Sequence, residues 1–233
     1  MASIKQIAFV LGISLVLVAI IGWWVDKNNE KPALLLDTET QLAGPLTPEE
    51  LVINNPDITN TMNRVAVFST NKGTIEIELF EDKMPITTGN FIKLALENFY
   101  DGIKFHRVID GFMIQAGDPN TKGNDILSYG SGGPGYTVQD EFVEDSLLSN
   151  VRGTIAMANT GQPNSGGSQF FINTVDNTGL DFNKEPFSSK HPVFGRVIKG
   201  LDIVDAISKV EVGQRDLPVE PVVIESIDIK AGE

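Results

Sequence analysis

Two stretches carry residue types able to act on a ligand: FHRVIDGFMIQAGD at 105–118 and MANTGQPNSGGSQFFINT at 157–174. In the first, Arg107 stands among Phe105, Val108, Ile109, Phe112, Met113 and Ile114. A strand buried on both faces would not carry an arginine. Alternation puts Met113 and Gln115 on one face. Where that face opens into a groove, it offers a cation, an amide and flat apolar walls. In Gln169-Phe170-Phe171-Ile172, Phe170 and Ile172 point one way, and Gln169 and Phe171 the other. One phenylalanine therefore fills the core while its neighbour lines the groove.

Other chemistries fit less well. Gly130-Ser131-Gly132-Gly133-Pro134-Gly135 matches G-x-G-x-x-G, but a dinucleotide loop follows a strand and opens a helix. This one follows a polar loop, runs into Tyr136-Thr137-Val138, and has Pro134 where an amide donor is wanted. His106, Asp110 and Asp118 lack a metal-ligand spacing and read as a strand histidine with solvated carboxylates on nearby turns. Ser165 and Ser168 lie in no G-x-S-x-G elbow. The 233 residues include no Cys and two His, which removes thiolate catalysis and Cys-ligated zinc and leaves little for a His-rich site. No metal or cofactor is expected. A net charge of −13, with no Lys/Arg cluster, argues against a nucleic-acid partner.

The elements that must position these residues lie between unequal ends. Residues 7–25 run 19 positions without a charge, 16 of them apolar, and end on Trp23 and Trp24. A helix of that length spans roughly 28 Å, close to the ~30 Å hydrocarbon core of a bilayer. A cleaved signal peptide is the rival, but its apolar region is usually ~7–15 residues and ends on small side chains, whereas bulky Ile20, Ile21, Trp23 and Trp24 stand at this end. Residues 1–25 are therefore expected to be a single transmembrane anchor. Lys5 keeps the N-terminus cytoplasmic and puts the rest on the outer face of the cell membrane; after signal cleavage the protein would instead be secreted. Residues 26–63 hold two Lys, seven acids and four Pro, and read as a flexible acidic tether. Thr47-Pro48-Glu49-Glu50 fits the start of a short helix.

Residues 64–233 contain 12 of the 13 Phe. Val65–Thr70 and Thr74–Phe80 read as paired strands around Asn71-Lys72-Gly73, the second alternating Ile75, Ile77 and Leu79 against Glu76 and Glu78. Pro85–Asn98 and Leu201–Ile207 read as helices. Further strands are expected at 104–109, 112–116, 154–158, 169–174, 193–198 and 222–229. The fold class is mainly β: a closed eight-stranded antiparallel barrel capped by two helices.

FHRVIDGFMIQAGD, MAN, GSQFFI and HPVFGRV, in this order and spacing, resemble the cyclophilin family of peptidyl-prolyl cis-trans isomerases from about Arg64 to the C-terminus. The resemblance implies that Arg107 is the catalytic arginine and that Phe112, Met113, Phe171 and Leu180 form the proline pocket. It further implies that Gln115, Ala158, Asn159 and Gln169 contact the substrate backbone, with His191 at the groove edge. The eight-stranded barrel with two helices is also the family fold. Three places depart from the pattern. The loop Thr160–Asn164 looks one residue longer than usual, the Gly-rich loop is longer and less regular across Asn124–Ser131, and Gly179 stands where many members place Trp. The last implies weakened cyclosporin-type binding and a smaller effect on isomerisation.

Prolyl isomerisation suits this residue set because it needs no nucleophile, metal or cofactor. The amide barrier is ~18–20 kcal/mol, and uncatalysed turnover takes tens to hundreds of seconds. Reaching milliseconds requires about 6 kcal/mol of differential stabilisation. In the twisted transition state the prolyl nitrogen regains its lone pair and can accept from a guanidinium, a bond worth ~1.5–3 kcal/mol. The remainder must come from the apolar pocket and from contacts that hold the flanking backbone. The expected protein is a monomeric, membrane-anchored isomerase that assists folding of exported or membrane-proximal proteins and acts on proline-containing polypeptides. The alternative is a Pro-peptide binding module of the same family with little turnover.

Overall fold

Alternation in the first hairpin sets the core. Val65–Thr70 (β1) pairs with Gly73–Leu79 (β2), with Thr70 opposite Gly73 and Val65 opposite Glu78. Ile75, Ile77 and Leu79 are buried, whereas Glu76 and Glu78 on the other face keep part of their surface in solvent. Pro85–Leu96 (α1) follows, with proline in the first turn, where its missing N–H costs nothing. No local side chain caps this helix. Glu141, from a distant loop, does so instead: its carboxylate accepts from the N–H groups of Ile86 at 2.9 Å and Thr87 at 2.6 Å. That places an anion at the positive end of the helix.

The computed structural model describes residues 63–185 and 190–232. The remaining elements are β3 (Arg107–Ile109), β4 (Met113–Ala116), β5 (Thr154–Met157), β6 (Phe170–Asn173), β7 (Val193–Lys199), α2 (Leu201–Ser208) and β8 (Ile224–Lys230). All eight strands form one antiparallel sheet in the order β3-β4-β6-β5-β7-β2-β1-β8. The expected transmembrane helix at 7–25, the helix start at Thr47 and all of the tether before Asn63 lie outside the described residues. Among the described residues, no helix is long and apolar enough to cross a membrane.

The expectation of a closed barrel is corrected: the sheet is an eight-stranded half-barrel, because β3 and β8 share no ladder. They approach through one bridge, Lys104 opposite Val223, flanked by bonds from Phe105 N to Val222 O and from Ile224 N to Ile103 O. The reason is stagger. Residues 103–105 reach toward β8, but the residues paired with β4 are 107–109, so no residue is laddered to both neighbours.

The concave side is filled by aromatic rings. Phe91 of α1 packs 5.1 Å from Tyr100, 5.4 Å from Phe194, 5.7 Å from Phe170 and 6.0 Å from Phe68, centroid to centroid. Three strands and a helix therefore meet on one ring, and truncating it leaves a void that none of them can fill alone. Phe91→Ala should lose about 3–5 kcal/mol, read as a lower urea midpoint at unchanged m-value. Leu96→Ala, at an exposed position on the same helix, should stay within about 0.5 kcal/mol of the native protein.

Candidate active site

The site grows from cross-strand register. Arg107 of β3 lies opposite Gln115 of β4, Gln115 opposite Phe171 of β6, and Phe171 opposite Ala156 of β5. Directly opposed residues share a face, so cation, amide and ring stand in one row on the convex side. Positions two along belong to the same face, which adds Ile109 and Met113. The intervening residues Val108, Ile114, Phe170 and Ile172 belong to the main core. The two phenylalanines thus divide as alternation requires.

On the convex face a second hydrophobic cluster forms around Met113, Phe171, Phe80, Ala156 and Val193, with Phe112, Leu180 and Ala158 packed on it as partly buried members. Met113 and Phe171 are 2% and 5% exposed, so they make the floor of this patch, while Phe112 and Leu180 stand at its sides. The His191 ring meets Phe171 edge-on at 5.3 Å. Its Nδ1 lies 3.0 Å from the Met157 carbonyl, so Nδ1 carries the proton, and burial holds the imidazole pKa below its usual value.

Polar groups border the patch. Gln115 Nε2 donates to Gln169 Oε1 at 3.0 Å, and Gln169 Nε2 donates to the carbonyls of Gly130 and Gly132. Gln115, Ala158, Asn159 and Gln169 line a pocket of about 490 Å³, and Gln115 and Arg107 line a neighbouring one of about 410 Å³. The Asn159 side chain donates to Lys190 O and accepts from Gly161 N. Its backbone N–H and C=O make no hydrogen bond among the described residues and remain available to a ligand. The Arg107 guanidinium also makes no hydrogen bond among the described residues. Its ion-pair partner is Asp216, 3.6 Å from Nε.

Several supporting residues carry no signal in the sequence. Asp118, read above as solvated, is fully buried. One of its oxygens accepts from Asn120 N and the other from Gly130 N and Gly132 N. A Cβ on Gly132 would fall 2.1 Å from Asp118 Oδ1, and Gly130 adopts φ +86°. The glycine-rich loop therefore wraps an internal carboxylate rather than a phosphate. Asp181 does similar work below Leu180, accepting from Asn150 N, Asn150 Nδ2 and Ser149 Oγ. Asn177 Nδ2 donates to the Phe112 carbonyl at 2.8 Å. His106 is buried against the loop, with neither ring nitrogen hydrogen-bonded among the described residues, and burial lowers its pKa against the opposing charge of Asp118. Ser165 and Ser168 donate to carbonyls, Gln162 O and Gly117 O. No group of three or more His, Asp or Glu suited to a metal ion occurs among the described residues.

Comparison with known proteins identifies the family. Residues 65–229 match the family described as cyclophilin type peptidyl-prolyl cis-trans isomerase/CLD. A peptidyl-prolyl cis-trans isomerase of Acinetobacter baylyi is 40% identical over 185 residues, covering 78% of this chain and 92% of the relative. Peptidyl-prolyl cis-trans isomerase B of Escherichia coli is 40% identical over 172 residues, 71% of this chain and 99% of its own length. The crystal structure of a Cryptosporidium parvum cyclophilin type isomerase aligns with TM-score 0.62 at 28% identity, covering 73% of this chain and 99% of that one. A second structure of that protein, determined in the presence of the dipeptide Ala-Pro, aligns with TM-score 0.61 at 28% identity over 72% and 99% of the two chains. The chain belongs to the cyclophilin family of peptidyl-prolyl cis-trans isomerases.

Gly179 sits in the short turn Thr178–Leu180, and a Cβ added there would meet nothing within 4 Å. A side chain can therefore leave the backbone at 179 without displacing its neighbours. Gly179→Trp should bind cyclosporin about two- to tenfold more tightly than the native protein, since an aromatic contact contributes about 0.5–1.5 kcal/mol. Equal affinities in a titration of the two proteins would mean that another side chain already supplies that wall.

Proposed function

We propose that this isomerase works by donating a hydrogen bond from Arg107 to the prolyl nitrogen as the amide twists, over an apolar floor of Met113 and Phe171. The observation that carries the reading is the state of that guanidinium. It is half-exposed, free of hydrogen bonds among the described residues, and in the same cross-strand row as Gln115 and Phe171. A buried or already bonded arginine would have to break a contact before it could donate.

The planar amide gives Arg107 no basic nitrogen to bond, because the lone pair is delocalised. The twisted amide does, so the bond strengthens on the way to the transition state, as catalysis requires. Phe112, Leu180 and the cluster beneath them would seat the pyrrolidine ring. The free backbone groups of Asn159, with Gln115 beside them, would hold the residues before proline. His191, kept neutral by burial, would serve as an apolar edge against Phe171 rather than as a proton donor.

For location, the support is the uncharged run at 7–25 followed by an acidic tether. On this reading a single-pass anchor holds a monomeric catalytic domain on the outer face of the cell membrane, where exported chains emerge unfolded.

Arg107→Ala should lower kcat/KM by about one to two decades, the worth of a hydrogen bond to a charged group, with circular dichroism and thermal midpoint retained. Unchanged kcat/KM would remove Arg107 from the mechanism. The location has its own test. Full-length protein should remain with membranes through carbonate washing, and protease added outside wall-stripped cells should release the catalytic domain. A mature N-terminus beginning after about residue 22 would mean a cleaved signal, and a domain protected until lysis would mean a cytoplasmic one.

A further inference from the structure

Beside Arg107 stands a carboxylate that neither the motifs nor the apolar cluster accounts for. Asp216 Oδ2 is 3.6 Å from Arg107 Nε, and the two side chains are 46% and 44% exposed. Ion pairs this open to solvent contribute little to stability. The backbone that delivers Asp216 is nevertheless unfavourable. It lies in the short turn Gln214–Asp216, where Arg215 has φ 62° and Asp216 φ 59°, two consecutive non-glycine residues in the left-handed region.

Two sets of contacts hold that turn in place. At its base Val212 bridges to Pro218, Gly213 N donates to Leu217 O, and Val219 N donates to Glu211 O. At its tip the Arg215 guanidinium donates to Ile126 O at 2.7 Å and to Tyr129 O at 2.9 Å, which ties the turn to the long loop beside the groove. The surroundings thus force a strained conformation whose visible product is one carboxylate against the Nε side of Arg107. Strain maintained by the rest of the structure belongs at functional sites.

We propose that Asp216 is a positioning residue for Arg107, holding the Nε side of the guanidinium so that its terminal N–H groups face the prolyl nitrogen. The inference rests on the reading of Arg107 as the donor. An arginine on a long, rotamer-rich stem loses much of its effect when it must first be ordered. A fixed carboxylate behind the fork does that ordering before substrate arrives and takes no part in binding the substrate. Its loss should therefore appear in kcat and leave KM nearly unchanged.

The experiment measures kcat and KM separately on full-length protein carrying Asp216→Asn, Asp216→Gly, Arg107→Ala, and Arg107→Ala combined with Asp216→Asn. Asparagine tolerates the left-handed backbone and glycine relieves it, so both single variants keep the turn while removing the charge. Each should lower kcat about three- to tenfold with KM within about twofold, and Asp216→Asn should cost nothing further once Arg107 is gone. Native kcat in both Asp216 variants, alongside a slow Arg107→Ala, would overturn the positioning role and leave Arg107 as the donor. Equal losses with and without Arg107 would also overturn it. A fast Arg107→Ala would remove the donor reading and this inference with it.

Discussion

The register between β3 and β4 is the constraint on which the site depends. Arg107 opposite Gln115 puts the cation on the convex face, and Val108 opposite Ile114 puts aliphatic side chains into the core. Side chains alternate with a period of two, so a slip of one residue would turn Arg107 inward and Val108 outward. An unpaired guanidinium among Phe68, Phe105 and Phe170 is energetically excluded. Core packing thus enforces the register, and the register places the functional row. Carried on through Phe171 and Ala156, the same row makes the apolar patch an outer layer of strands whose inner faces belong to the main core.

Loops complete the site, and carboxylates that are buried or partly buried hold the loops. Residues 117–153 contain only short single-turn 3-10 segments, yet they border the groove along one side. Their backbone needs partners that a sheet would normally provide. Asp118 supplies them to Asn120, Gly130 and Gly132, Glu141 caps α1, and Asp181 fixes Asn150 and Ser149. In each case one carboxyl group answers several N–H or O–H donors and so ties the chain at more than one point. Part of the excess negative charge is therefore structural, fixing the irregular chain between strands.

How far the sequence reveals this follows from the range of each interaction. Alternation and helical spacing are local, so the strands and both helices were legible from residues a few positions apart, including the opposite orientations of Phe170 and Phe171. The groove residues expected from the resemblance, Leu180 apart, fall within continuous motifs, which is why a sequence can nominate them. Closure of the barrel was not, since it depends on whether residues 103–109 face β8 and β4 at the same positions, and a periodic pattern contains no information about stagger. Asp118 looked like a turn carboxylate because its three backbone donors lie at positions without side-chain signatures. Asp216 was invisible for a related reason: nothing in Gly213-Gln214-Arg215-Asp216 announces a left-handed turn at two non-glycine residues.

The division of labour in the groove follows from what each part is able to supply. A guanidinium bond contributes about 1.5–3 kcal/mol, short of the roughly 6 kcal/mol that millisecond turnover requires, so on the Arg107 reading the apolar floor must carry a comparable share. It can do so only if it is rigid, because a floor that relaxed around the planar amide would stabilise ground and transition states alike. Rigidity is what the architecture provides. Met113 and Phe171 sit on strands whose opposite faces are pinned in the main core, and Phe112 and Leu180 are tethered through Asn177 and Asp181. Gly179, with open space where a side chain would stand, takes no part in any of these supports. A ligand that depends on an aromatic wall at 179 should therefore notice its absence more than a reaction that depends on a fixed floor and a guanidinium without hydrogen bonds.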